Sequence, residues 1–147
     1  MCWRKSRLTV GFPSPAMSIF TKIIDREIPG HIVAENDQAI AFLDIRPLVK
    51  GHTLVVPKRE VDYYFDLDAT LYADLNEFAR RVAIGLKQAI PCERIATAVI
   101  GLEVPHTHIH LLPIHTMDDT NFSRPKLQLP DEEMAQIAEQ IRSHVSV

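Results

Sequence analysis

The chain has 147 residues, enough for one domain with a real core and too few to assume two. Hydrophobic residues make up 46% and charged residues 24%, as in a soluble globular protein, and no run approaches the roughly 20 apolar residues of a membrane span, which argues against a membrane role. The formal charge of -3 offers no broad basic surface, which disfavours nucleic acid as a partner but leaves a nucleotide open. Cys2 and Cys92 form no metal-type pair, and a reducing, cytoplasmic setting fits them best.

Residues 1–16, MCWRKSRLTVGFPSPA, are basic, contain two prolines and lack the apolar stretch of a signal peptide. They are expected to be a disordered extension to a single domain over 17–147. From Phe20 to Ile28 the residues Phe20, Ile23, Ile24 and Ile28 recur at helical spacing, and Pro29-Gly30 stops the segment. HIVAEN and QAIAFLDI, separated by Asp37, predict a β-hairpin, and HTLVVPK adds a strand that ends at Pro57. Between Asp68 and Ala89 the stripe Leu71, Leu75, Phe78, Val82 and Leu86 predicts a long helix capped by Asp68. RIATAVI and HTHIHLLP follow as two more strands. Asp131, Glu132 and Glu133 open a last helix that runs to about Ser143, with Met134, Ile137, Ala138 and Ile141 on its apolar face. The expected class is α+β: about five antiparallel strands with a short N-terminal helix, a long central helix and a C-terminal helix.

Four of the seven histidines lie between His106 and His115, and three alternate as His106-Thr107-His108-Ile109-His110. On a strand these three line one surface, while Thr107, Ile109 and Leu111 point toward the core. Imidazoles that can donate, accept or attack near neutral pH suit a phosphoryl group. A metal ion is a poorer reading, because a rise of about 3.3 Å per residue sets the outer two roughly 13 Å apart. Three solvated surface histidines are the bland alternative.

The run His106 to Leu112 resembles the His-φ-His-φ-His-φ-φ signature of the histidine-triad family, with Thr107 the least typical φ. SIFTKIIDREIPG, AFLDIRPLVKGHTLVVPKRE and the long helix extend the similarity from Ser18 to about Pro113. The resemblance implies a HIT-like fold, commonly a homodimer, and hydrolysis or transfer at the α-phosphorus of a nucleotide. It makes His108 the nucleophile, its other ring nitrogen held by a backbone carbonyl of the triad strand, with His106 and His110 stabilising charge on the phosphate and leaving group. His52 matches a fourth histidine of the pocket, although a solvent-bonded histidine at a strand start explains it equally well. Asp44 and Ile45 match positions that hold the ribose, and Phe20, Ile23 and Ile28 match the apolar slot for the base, although such a stripe is also ordinary core.

The chain departs from the family pattern at Leu102-Glu103-Val104-Pro105, where many members carry Gln and a hydroxyl residue, and Ala98-Val99-Ile100 offers no Asn. Glu103 is read either as an acid toward an amine leaving group or as a solvent-facing residue. Ser18 and Thr21 stand where some members have a zinc-binding Cys-x-x-Cys, so neither metal nor cofactor is implied. The resemblance favours a phosphoramidase-like hydrolase of purine nucleoside 5'-monophosphate derivatives such as AMP phosphoramidates. Dinucleoside polyphosphate hydrolysis or nucleotidyl transfer, and nucleotide binding with little turnover, are the alternatives.

Overall fold

Short apolar runs separated by turn residues give five strands: β1 (Ile32–Glu35), β2 (Ala39–Leu43), β3 (Thr53–Pro57), β4 (Arg94–Ala98) and β5 (Ile109–Ile114). They pair antiparallel throughout, in the order β1-β2-β3-β5-β4. The computed structural model describes residues 17–147, so the expectations for 1–16 lie outside the described residues. Asn36 closes the first hairpin, its Oδ1 accepting from the N–H groups of Gln38 and Ala39. β2 and β3 are buried along their whole length, which is why AIAFL and TLVVP read as continuous apolar runs rather than as alternation.

Helices cover both faces of this sheet. α2 (Ala69–Ala89) and α3 (Asp131–Arg142) pack on one face, where Leu75, Val82 and Ile141 meet Ala41, Val55 and Ile109. α1 (Ile19–Ile24) covers part of the other face, placing Phe20 and Ile23 on Ile40, Phe42 and Leu54. The Asp68 carboxylate caps α2 by accepting from Leu71 N–H at 2.9 Å, and the five-residue stripe read from the sequence is buried. Each such leucine contributes about 2 kcal/mol by leaving water.

Three boundaries differ from expectation. α1 ends at Ile24, not Ile28, because Arg26 turns left-handed at φ 62° and its guanidinium donates to the carbonyls of Ile23 and Ile24. β4 stops at Ala98, leaving Val99 and Ile100 outside the sheet. β5 begins only at Ile109, so His106 and His108 precede the strand, on a segment pinned where Thr107 N–H donates to the Val61 carbonyl at 2.7 Å.

Candidate active site

The sheet register fixes the face on which the histidines stand. Phe42 pairs with Leu54, and Leu54 with His110, so these three side chains form one row under α1. Ile109 and Leu111 point to the α2 side and join its core, as the alternation predicts. The His108 ring lies 5.0 Å from the Phe20 ring and 4.9 Å from the His110 ring, centroid to centroid. The aromatic sequence across the site is therefore Phe20, His108, His110, with His52 beyond at 5.2 Å from His110.

Hydrogen bonds set the tautomer of each ring, because a backbone carbonyl only accepts and a backbone N–H only donates. His108 Nδ1 lies 2.7 Å from the His106 carbonyl and donates to it, so the neutral ring carries its lone pair on Nε2. Leu48 N–H donates to His52 Nδ1 at 3.0 Å, which puts the His52 proton on Nε2. That proton is donated to His110 Nδ1 at 2.9 Å, so His110 carries its own proton on Nε2. A single backbone amide thus orders two rings and leaves a donor N–H on His110. Burial, aided by the neighbouring His110 and Lys126, pushes His52 down to about 3. Burial likewise lowers His110 to about 4. Both are neutral near pH 7.

His106 is fully buried, with Nε2 donating to the Pro57 carbonyl at 2.8 Å and Nδ1 accepting from the Ser18 hydroxyl at 2.6 Å. Burial lowers its pKa. With both nitrogens occupied, its ring offers nothing to a phosphate; its contribution to the site is the carbonyl that orients His108. The expectation pairs His106 with His110 on phosphate charge, whereas His106 lies outside the hollow that His108 and His110 line. Ser18 also caps α1, its Oγ accepting from Thr21 N–H, so one hydroxyl ties the helix to the histidine segment. The solvent-bonded reading of His52 is overturned as well, since only 1% of it is exposed and both nitrogens are bonded internally.

Two hollows meet at Asp44. One, of about 90 Å³, is lined by Phe20, Ile23, Ile28, Phe42, Asp44 and Ile45 among others, which brings all five residues read as base and ribose contacts to one place. Phe20 and Ile23 are buried and serve the core at the same time, whereas Ile45 stands 69% exposed at the rim. The other, of about 220 Å³, holds Asp44, His52, His108, His110 and Glu103 together with Phe122 and Lys126. Asp44 Oδ1 accepts from Arg46 N–H, and burial raises the carboxyl pKa. Glu103 is both solvent-exposed and a wall of this second hollow.

Asp44, His52 and His110 have ligand atoms within 4.8 Å of one another. They do not fit a metal ion. His52 Nδ1 is committed to Leu48 N–H and its Nε2 carries a proton, so no lone pair is left for coordination.

Phe122 and Lys126 were not read from the sequence. They lie on the connection between β5 and α3, which carries no periodic pattern and reaches the site through backbone anchors. Leu127 N–H donates to the Pro47 carbonyl and Arg124 donates to the Leu48 carbonyl. Phe122 then meets the His110 ring edge-on at 4.9 Å.

A model of the HIT domain family matches residues 25–117. An uncharacterized HIT-like protein of Borreliella burgdorferi is 34% identical over 135 residues, covering 86% of this chain and 97% of its own. The adenosine 5'-monophosphoramidase HNT1 of Saccharomyces cerevisiae is 34% identical over 99 residues, 67% of this chain and 63% of that one. Among solved structures, a HIT-like protein involved in cell-cycle regulation from Bartonella henselae superposes with a TM-score of 0.76 at 29% identity, covering 87% of this chain and 96% of that chain.

Proposed function

The chain belongs to the HIT domain family, and from that footing we propose that it is a nucleotidyl hydrolase acting on purine nucleoside 5'-phosphoramidates. The observation that carries the reading is the hydrogen bond from His108 Nδ1 to the His106 carbonyl, which leaves the Nε2 lone pair free on a ring that lines the larger of the two hollows. The phosphoramidase activity named for the yeast relative supports the choice of leaving group.

In this reading the base lies against Phe20, Ile23 and Ile28, and Asp44 accepts from the ribose hydroxyls with Ile45 packed beside them. His108 Nε2 attacks the α-phosphorus and a P–Nε2 bond forms. The bond from phosphorus to the leaving nitrogen breaks, and its electron pair departs on that nitrogen, which takes up a proton. Water oxygen then attacks phosphorus, the P–Nε2 pair returns to His108, and the water loses a proton. The products are the nucleoside monophosphate and the free amine. His110 Nε2–H, held as a donor by His52, stabilises the negative oxygens in both steps. Glu103 stands at the exit and is read as a proton source for the amine.

Residues 17–147 act in this reading as one domain, in the cytoplasm, as a homodimer. No helix among the described residues is long and apolar enough to cross a membrane. The test is AMP release from adenosine 5'-phosphoramidate. Wild type is expected to turn over, and His108→Ala to lose at least 10³-fold in kcat, the scale on which removal of a covalent nucleophile is felt. Equal rates for the two proteins sink the covalent mechanism, and a wild type that binds AMP without turnover favours a binding module.

A further inference from the structure

The hollow lined by His108 and His110, which meets the base slot at Asp44, contains one cation among the described residues, Lys126. Its ammonium donates to the carbonyls of Phe122 and Arg124 and lies 5.7 Å from the centroid of the Phe122 ring. The groups it donates to are neutral carbonyls, and the carboxylates that share its hollow are Asp44, whose charged form it favours, and Glu103. The Phe122 ring in turn is seated edge-on against both His110 and His52, which ties the ammonium to the histidine row.

Position assigns this charge. The apolar slot lies at the Phe20 end of the row and Lys126 at the opposite end, beyond His110. A nucleotide whose base fills the slot and whose α-phosphorus meets His108 directs its remaining substituent, the leaving group, toward Lys126. His52 and His110, neutral in this pocket, bring hydrogen bonds but no full positive charge. We propose that Lys126 is a specificity-determining residue that selects leaving groups bearing a negative charge, a carboxylate or a phosphate, by pairing with that charge. This rests on the hydrolase reading above and names the substrate class for it: amines that carry an acid group, or phosphate itself, over uncharged amines.

The experiment compares kcat/KM for three adenosine substrates: a phosphoramidate of a plain alkylamine, a phosphoramidate of glycine, and a diadenosine polyphosphate. It uses the full chain as wild type, Lys126→Gln and Lys126→Arg. The expected result is that Lys126→Gln lowers the ratio of anionic to neutral substrate about tenfold, in the range of a charge-assisted hydrogen bond, and that Lys126→Arg keeps most of it. The glycine and polyphosphate arms tell which anion is served. An unchanged ratio, or an equal loss on all three substrates, overturns the assignment. If wild type turns over none of them, the hydrolase reading fails separately. Lys126 is then judged by calorimetric binding, where ADP must bind wild type more tightly than AMP does and Lys126→Gln must erase the difference; no difference in wild type also overturns it.

Discussion

At the scale of single residues, the candidate site consists of imidazoles with assigned roles rather than a row of equivalent ones. Leu48 N–H orders His52, His52 orders His110, and the His106 carbonyl orders His108. The order depends on His52 and His110 being neutral, and this has a consequence for stability. Their folded values of about 3 and 4 lie below the roughly 6.5 of an unfolded histidine. The unfolded chain therefore takes up protons first on acidification, so the contribution is complete above about pH 6.5 and is lost as pH falls toward the folded values. Two such groups are expected to lower unfolding free energy by about 4 kcal/mol between pH 7 and pH 5, about 2 kcal/mol each. Urea melts at the two pH values check this, and coincident curves would contradict it. His52→Gln, which removes one of the two groups, is expected to show a shallower pH dependence.

At the scale of elements, turns decide where the histidines stand. Gly51, at φ 87°, ends the turn that delivers His52 to β3, and an added Cβ there would meet Pro113 Cγ at 3.1 Å and Ile90 Cγ1 at 3.2 Å. Gly101, at φ 74° between β4 and the histidine segment, has open space around it. Gly101→Ala is therefore expected to cost about 1 kcal/mol of backbone strain, and Gly51→Ala about 2 to 3 kcal/mol because crowding adds to strain. Thermal unfolding of both variants tests the ranking, and equal shifts would contradict it. Much of this element map was legible beforehand. The stripe of α2 and the β2–β3 runs are dense enough in apolar residues for period and turn chemistry to place them. The end of α1 was not legible, because a left-handed arginine leaves no signal in the pattern. Nor was the use of His106 as a buried anchor, since an alternating row looks the same whether a ring faces a pocket or Pro57. Phe122 and Lys126 escaped for a related reason: only tertiary anchoring through Pro47 and Leu48 brings their aperiodic segment to the site, and they lie beyond the 25–117 match to the family.

At the scale of the whole molecule, β1 and β4 are the edges of the sheet. α3 closes over β1, with His31 paired to Asp131 and Arg142 donating to the Ile32 carbonyl. No such cover lies over β4 among the described residues, and beside it Ile84, 48% exposed, Ala83 and Ile95 line a hollow with Arg80, Lys87 and Gln88 at its rim. In the proposed homodimer this edge and the outer face of α2 meet a second copy. Ile84→Arg is expected to shift sedimentation from dimer toward monomer, and an unchanged monomeric wild type would refute the arrangement. Above all of these stands the claim that His108 Nε2 forms a bond to phosphorus. The most direct measurement is intact-protein mass after rapid mixing with adenosine 5'-phosphoramidate and an alkaline quench, which spares an acid-labile P–N bond. A single added adenylyl group is expected on wild type, mapping to His108 and missing from His108→Ala. An adduct that persists in His108→Ala, or AMP release with no adduct at any mixing time, would contradict it.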